Sequence, residues 1–219
     1  MSLAGRIYAA AYDRMSAGTE AAGLGATRES LLGGAAGRVL EIGAGTGVNL
    51  PFYGAAVESL IVAEPDAEMA HRLERRLRKH PGPVSLVRAP AEELPFGDGQ
   101  FDAAVSTLVL CTVDDQARAL GELRRVLSPS GRLLFIEHVR SEEPRLASWQ
   151  DRLNGTSRIL GRGCNCNRRT LDAIRAAGFT VTWLGVEKLR KAPPTHRPLV
   201  VGIANLAGLA ERDRAESRL

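Results

Sequence analysis

The stretch Glu41-Ile42-Gly43-Ala44-Gly45-Thr46-Gly47 carries the sharpest chemical signal in the sequence. Glycine at three alternate positions lets the backbone turn tightly and lets a ligand lie against it with no side chain between. A helix expected after the loop would aim its free N–H groups and positive dipole end at the same place. Nineteen residues after Gly45 stands Glu64, whose carboxylate can accept from both hydroxyls of a ribose. The acids narrow the ligand. Glu41 would repel a pyrophosphate and attract a cation. Val48 occupies the place where the dinucleotide fingerprint G-x-G-x-x-G/A ends in a small residue. The set points to a nucleoside bearing positive charge. Two alternatives stand beside it: a nicotinamide dinucleotide, disfavoured by Glu41 and Val48, and a tight turn that binds nothing.

Other reactive residue types fall where strands are expected to end, which is where open parallel sheets hold their ligands. Glu137 and His138 close the fifth predicted strand, Cys111 follows the fourth, and His196 and Arg197 lie in a segment leaving the sixth. His138 is the best candidate for a base or orienting group. Its ordinary alternative is an imidazole bonded to backbone beside Glu137, and Glu137 itself reads as structural. Cys164-Asn165-Cys166 offers two thiols with no clear partner ligands, so no metal is expected. Cys111 reads as a core residue. Neither G-x-S-x-G nor H-E-x-x-H is present, which leaves hydrolase chemistry without support.

These residues need a frame. Short β-branched runs at 38–42, 59–63, 84–88, 101–107 and 132–137 alternate with helical patterns, the arrangement of a parallel sheet covered on both faces. Asp66 caps a helix reaching His80, with Leu73 and Leu77 turned inward. Ala119, Leu120, Leu123, Val126 and Leu127 space a second helix over 114–127. The turns Pro81-Gly82-Pro83 and Ser128-Pro129-Ser130-Gly131 introduce the third and fifth strands. Further on, a helix over 167–177 ends at Gly178. Strands at 179–186 and 199–204 follow with no helix between them, so they can pair antiparallel. The expected architecture is α/β: a Rossmann-like three-layer α/β/α sandwich with a mixed seven-stranded sheet, its last strand antiparallel. It forms one domain over 1–219. A helical cap covers 1–36, the ligand-binding core 37–140, substrate-side helices and a terminal hairpin 141–209, and a tail 210–219. In the stretch 142–168, Leu146, Trp149, Leu153, Ile159 and Leu160 either line an apolar pocket or pack as a helix.

At 219 residues, 44% hydrophobic and 25% charged, the chain can bury a full core and is neither disordered nor fibrous. No run approaches the ~18 apolar residues of a membrane span, and no signal peptide or membrane anchor is expected. Three cysteines fit a reducing cytoplasm. The net charge is +4, but the densest basic run, His71 to His80, reads as the wet face of a helix. No aromatic residue interleaves with it, so no nucleic-acid partner is expected.

The block APAEELPFGDGQFDAAVSTLVLCTVDDQARALGELRRVLSPSGRLLFIEHV, residues 89–139, together with the glycine loop and Glu64, resembles the class I S-adenosylmethionine-dependent methyltransferases, in their type 11 small-molecule branch. The pieces TLVLC, RVLSPSG, IEHV and Gly163-Cys164-Asn165 are closer still to the methyltransferase-like alkyl-thiol methyltransferases of animals and their bacterial relatives. The resemblance covers about residues 8–204. The animal proteins carry an apolar N-terminal anchor with no counterpart here.

The resemblance implies S-adenosyl-L-methionine as cofactor and assigns roles. Glu41, Gly43, Ala44, Gly45 and Gly47 frame its methionine part, and Glu64 holds the ribose. Pro65 and Met69 flank the adenine. Pro90 stands where relatives often place an Asp for the adenine amino group, which leaves backbone around Ala91 and Glu92 to pair with the ring. Thr107 and Leu108 approach the sulfonium, and Tyr12 covers the amino-acid end. Methyl transfer is an in-line displacement whose main demand is alignment. A thiol acceptor, of reference pKa ~8.5, needs little help to become a thiolate; a hydroxyl needs a base. A small-molecule thiol is therefore the first expected acceptor. A phenol, a lipid amine, a natural-product hydroxyl, or a binding module without catalysis remain open, as do monomer and homodimer.

Overall fold

In a computed structural model, residues 11–207 other than 15, 81 and 162 are described, together with every side chain in that range except that of residue 160. The expected tail (210–219), the first ten residues of the cap and Pro81 lie outside the described residues.

Seven strands form one sheet: β1 (Gly37–Ile42), β2 (Val57–Ala63), β3 (Val84–Val87), β4 (Phe101–Thr107), β5 (Leu127–His138), β6 (Phe179–Lys188) and β7 (Pro198–Leu206). Their order across the sheet is β3-β2-β1-β4-β5-β7-β6. The first five pair parallel, while β7 runs antiparallel to both β5 and β6. The helices are α1 (Gly25–Leu32), α2 (Ala67–Leu77), α3 (Gln116–Val126), α4 (Pro144–Leu160) and α5 (Thr170–Ala176). Strand side chains alternate between two apolar layers, as a period of two requires. Leu40, Ala104, Leu133 and Phe135 pack with Leu120 and Leu123 of α3 and Ile174 of α5. Val39, Ala103, Val105, Leu134 and Ile136 pack on the other face with Leu31 and Leu32 of α1 and Leu73 of α2. The fold is the expected three-layer sandwich. Among the described residues no helix is long and apolar enough to cross a membrane.

Local signals explain the helix starts. Asp66 accepts from the N–H groups of Glu68 and Met69 at 3.0 and 2.9 Å, and Asp115 accepts from Arg118 N–H at 3.0 Å. Gly178 takes the expected left-handed conformation after α5, with φ 86°.

Three expectations change. No α-helix follows the glycine loop: residues 45–49 run in turns and end in a single 3-10 turn, Leu50–Phe52. Gly47 at φ 84° and Pro51 in that first turn both oppose a continuous helix. Ser128–Gly131 does not precede β5 but lies within it. Leu127 pairs with Phe101, pairing resumes at Arg132 with Ala103, and the extra residues bulge between. In α4, Trp149, Leu153 and Ile159 are 61%, 41% and 80% exposed, so they neither pack nor line a closed pocket. The helix instead buries Ala147, Gln150 and Ser157. The fully buried Gln150 amide donates to the carbonyls of Val139, Cys166 and Thr195 and accepts from Ser141 N–H, tying three other segments to α4.

The join between β5 and β7 depends on one residue without a side chain. Phe135 is fully buried opposite Gly202, and a Cβ at Gly202 would meet Phe135 Cε1 at 2.8 Å. Gly202→Ala is expected to lower stability by about 1–3 kcal/mol, the usual cost of overpacking, read as a fall in the urea midpoint. Phe135→Leu in the same chain should recover part of the loss. An alanine variant as stable as the parent would show that the ring can move aside.

Candidate active site

The carboxyl ends of β1, β2, β4 and β5 meet at one edge of the sheet, and the loops leaving them carry most of the residues singled out above. After β1, Gly43, Gly45 and Gly47 take φ values of 55°, 56° and 84°, all in the left-handed range. They are not equivalent. A Cβ on Gly43 or Gly47 would strike Val109 or Leu73 at 2.6 Å, so those two permit internal packing. A Cβ on Gly45 would meet only Gly43 O, at 4.0 Å, so there the bare backbone faces open space. Ala44 between them is buried and donates its N–H to Ala63 O.

Glu64 closes this cradle. Its Oε2 accepts from Gly45 N–H and its Oε1 from Asp66 N–H, both at 2.8 Å. Burial raises its pKa against the lowering effect of those two bonds. A carboxylate has about four acceptor positions, so two stay available for hydroxyl donors. Pro65 is exposed, and its carbonyl accepts from Arg88; Met69 is buried at the start of α2. Ala91 is buried. The Glu92 side chain turns toward the start of α3 and accepts from Asp114 and Asp115 N–H, which leaves only its backbone for a ring.

Glu41 is turned into the protein. Its Oε1 accepts from Asn49 Nδ2 at 2.8 Å and its Oε2 from Tyr53 Oη at 2.7 Å. Burial pushes its pKa up to about 7, opposed by those bonds and by Arg28. Asn49 also donates to Thr107 Oγ1 and accepts from Arg28 Nη1, and buried Arg28 pairs with Glu20. Sequence reasoning missed this network. Asn49, Tyr53 and Arg28 belong to no spacing pattern, and only the fold brings them to Glu41. The N-terminal segment is pinned over the loop by Asp13, which accepts from Thr46 Oγ1 at 2.6 Å and from Arg76 at 2.9 Å. Tyr12, half-buried, precedes it on the same helical turn.

On the other side, Glu137 is fully buried and does structural work. It accepts from Ser106 Oγ at 2.6 Å, from the N–H groups of Val109 and Leu110 at 3.1 and 3.0 Å, and from Cys111 N–H at 3.3 Å. Leu108, between β4 and that turn, sits at φ 61°. His138 is buried, its Nδ1 has no hydrogen-bond partner, and its ring meets that of His196 edge-on at 5.6 Å. Burial lowers its pKa, which keeps it neutral. His196 also lies 3.1 Å from Thr195 Oγ1 through Nδ1, and Arg197 Nε donates to Ala192 O. Cys111, Cys164 and Cys166 form a small buried cluster of free thiols, with Cys111 and Cys164 sulfurs 3.8 Å apart. Among the described residues, no three or more metal-ligating side chains are grouped to hold an ion.

The arrangement is a bare-backbone cradle with a carboxylate beside it, a buried polar support beneath, and, at the next strand but one, an imidazole whose Nδ1 has no partner. It suits a polar nucleoside next to a reacting group that needs at most mild proton removal.

Comparison with known proteins agrees. Residues 40–135 match the family model described as a methyltransferase domain. The chain is 35% identical over 179 residues to human thiol S-methyltransferase TMT1B, covering 78% of this chain and 70% of that protein. It is 34% identical over 146 residues to human thiol S-methyltransferase TMT1A, covering 65% and 59%. Among solved structures, an S-adenosylmethionine-dependent methyltransferase of Thermotoga maritima, described as a possible histamine N-methyltransferase, superposes with a TM-score of 0.68 at 24% identity over 91% of this chain and 96% of that one. The geranyl diphosphate C-methyltransferase of Streptomyces coelicolor A3(2), solved with Mg2+, geranyl diphosphate and S-adenosyl-L-homocysteine, has a TM-score of 0.64 at 17% identity, covering 84% and 78%.

The two strand-end carboxyls Glu41 and Glu137 set a pH dependence. Each is raised from 4.5 to about 7 by burial. The folded chain thus holds protons that the unfolded chain releases, and stability falls as pH rises from about 4.5 through 7, then levels off. Glu137→Gln removes one of the two contributions. Urea unfolding at pH 5 and pH 8 should show a smaller fall in the variant than in the parent. An equal fall in both would mean that Glu137 is ionised throughout.

Proposed function

This chain belongs to the S-adenosyl-L-methionine-dependent methyltransferases, and we propose that the nucleophile it methylates is the sulfur of a small-molecule thiol. The observation that carries the choice of acceptor is His138, a buried, neutral imidazole whose Nδ1 has no partner. Such a base can take the proton of a group near pKa ~8.5. It is poorly matched to an alcohol, whose proton is held far more tightly. The similarity to thiol S-methyltransferases points the same way.

The residues present fit the cofactor. Gly45 presents bare backbone to open space, with Gly43, Ala44 and Gly47 shaping the turn along the methionine part. Glu64 keeps acceptor positions for the ribose hydroxyls while its other lone pairs hold Gly45 and Asp66. Pro65 and Met69 flank the adenine, and backbone at Ala91 and Glu92 pairs with its edge. Glu41 acts from behind the loop, fixing Asn49 and through it Thr107. Leu108 and Thr107 border the sulfonium, and Tyr12 covers the amino-acid end. When bound, S-adenosyl-L-methionine supplies an electrophilic methyl group on a good leaving group. The chain's part is to align the acceptor, exclude water, and accept the thiol proton at His138 Nδ1.

Purified protein, labelled methyl donor, and a panel of thiols, phenols and amines test the acceptor. Thiols should become methyl thioethers; turnover of phenols or amines alone would overturn the reading. His138→Ala should slow an alkyl thiol by about 10-fold or more and spare an acidic aryl thiol, with S-adenosyl-L-homocysteine affinity unchanged. Equal rates for parent and variant would remove His138. Glu64→Ala should weaken cofactor binding by roughly 1–3 kcal/mol by calorimetry, and Gly45→Val should abolish it. Parent-like binding in either would displace the cofactor from this loop.

A further inference from the structure

A cavity of about 720 Å³ opens between the end of the N-terminal cap and the segment joining β6 to β7. Its size is that of a small-ligand site. One wall is cationic: Lys188, Arg190, Lys191 and Arg197 line it, against a single acid, Glu187. Glu187 is engaged by Thr27, whose hydroxyl donates to it at 2.9 Å. None of the four basic side chains makes an ion pair with a described residue. Four cations without an ion-pair partner around one hollow make a local positive field.

Two backbone observations mark the same cavity. Lys191 adopts φ 63°; with Leu108 it is one of two non-glycine residues at positive φ among those described. For a lysine this conformation is strained and persists only where the surroundings enforce it, commonly at ligand sites. Across the cavity, Gly23 takes φ 135°, and a Cβ there would meet nothing within 4 Å, so its bare backbone faces the hollow. The floor is apolar. Leu24 and Leu199 line it and belong to the same packed cluster as Ala44 of the glycine loop, with Leu108 against it. Leu199 pairs with His138 across β7 and β5, so the cavity lies at the sheet edge that carries His138, with an apolar floor beneath a cationic rim.

We propose that this cavity receives the acceptor, and that Arg190 and Lys191, with Lys188 and Arg197, hold a negatively charged group, carboxylate or phosphate, at the end of the thiol remote from its sulfur. The inference rests on the thiol reading for the identity of the reacting atom and adds the charge of the molecule that carries it. The apolar floor takes the chain between sulfur and anion.

Two alkyl thiols of equal length, one ending in a carboxylate and one in a hydroxyl, test the proposal. The parent should favour the acid in kcat/KM by about 10-fold or more at low ionic strength, and added salt should shrink the preference. Arg190→Ala with Lys191→Ala should abolish the preference through KM, leaving the neutral thiol within about 2-fold. Arg190→Glu with Lys191→Glu should invert it toward an aminothiol. Calorimetry of the two methylated thioethers gives a readout without turnover: the acid should lose affinity in the double alanine variant and the alcohol should not. Equal treatment of both thiols by the parent overturns the proposal. So does an equal loss for both in the variants, or competition by acetate or inorganic phosphate as effective as that by the thioether acid, which would mark a free-anion site. Weakened S-adenosyl-L-homocysteine binding in the variants would assign the cations to the cofactor carboxylate and also overturn it. If no thiol is methylated, the acceptor reading fails by itself. The same comparison of charged and neutral end groups on phenol ethers by calorimetry then decides the cavity.

Discussion

Glu137 accepts four hydrogen bonds from Ser106 and from the backbone of the turn after β4, and the geometry of the sheet's carboxyl edge follows from that grip. An ionisable group without any exposed surface is costly unless its acceptor positions are filled. Filling them here requires three successive N–H groups to converge on one point. That convergence draws the chain into a tight reversal, with Leu108 left-handed and Val109 pressed beneath Gly43. Only glycine fits at Gly43 as a result, so the conformation of the β1 loop is tied to a carboxylate two strands away. Gly43 and the buried Glu137 are two ends of one constraint.

The same logic operates on the opposite face of the sheet. Glu41 points into the layer of α1 and α2 and meets Asn49, Tyr53 and, through Asn49, Arg28. A continuous helix after the glycine loop would carry Asn49 along a helical path; the succession of turns delivers its amide between Glu41 and Thr107 instead. A hydrogen-bonded network of this kind fixes a single arrangement, because partial satisfaction in a low-dielectric interior is worse than none. The glycine loop is thus rigid from below and open from above.

Much of this was legible in residue order. Short apolar runs marked the strands, although β4 (FDAAVST) holds only one Val, and Asp66 marked the start of α2. The glycine spacing and Glu64 located the cradle because both act locally, within one strand-loop-strand unit. What escaped was set by contacts distant in sequence. Pro51 and Gly47 were visible, yet their weight against a helix emerges only with the buried destination of Asn49. The apolar residues of α4 suggested a packed stripe, whereas the fold uses Gln150 to join four segments and leaves Trp149 and Ile159 in solvent. Glu41 read as a ligand-facing acid because a sequence shows which strand end a side chain occupies but not which way it turns.

Because β7 inserts between β5 and β6, the last of the described strands to be synthesised is an interior one. On the ribosome, β5 would emerge with one flank unpaired, and β6 would have no place in the sheet, until residues 198–206 arrive. Unpaired flanks recruit other chains, and long-range pairing is the slow part of folding. For that interval the nascent chain is a candidate for chaperone protection, and completion of the sheet coincides with delivery of the 189–197 loop to the carboxyl end of β5.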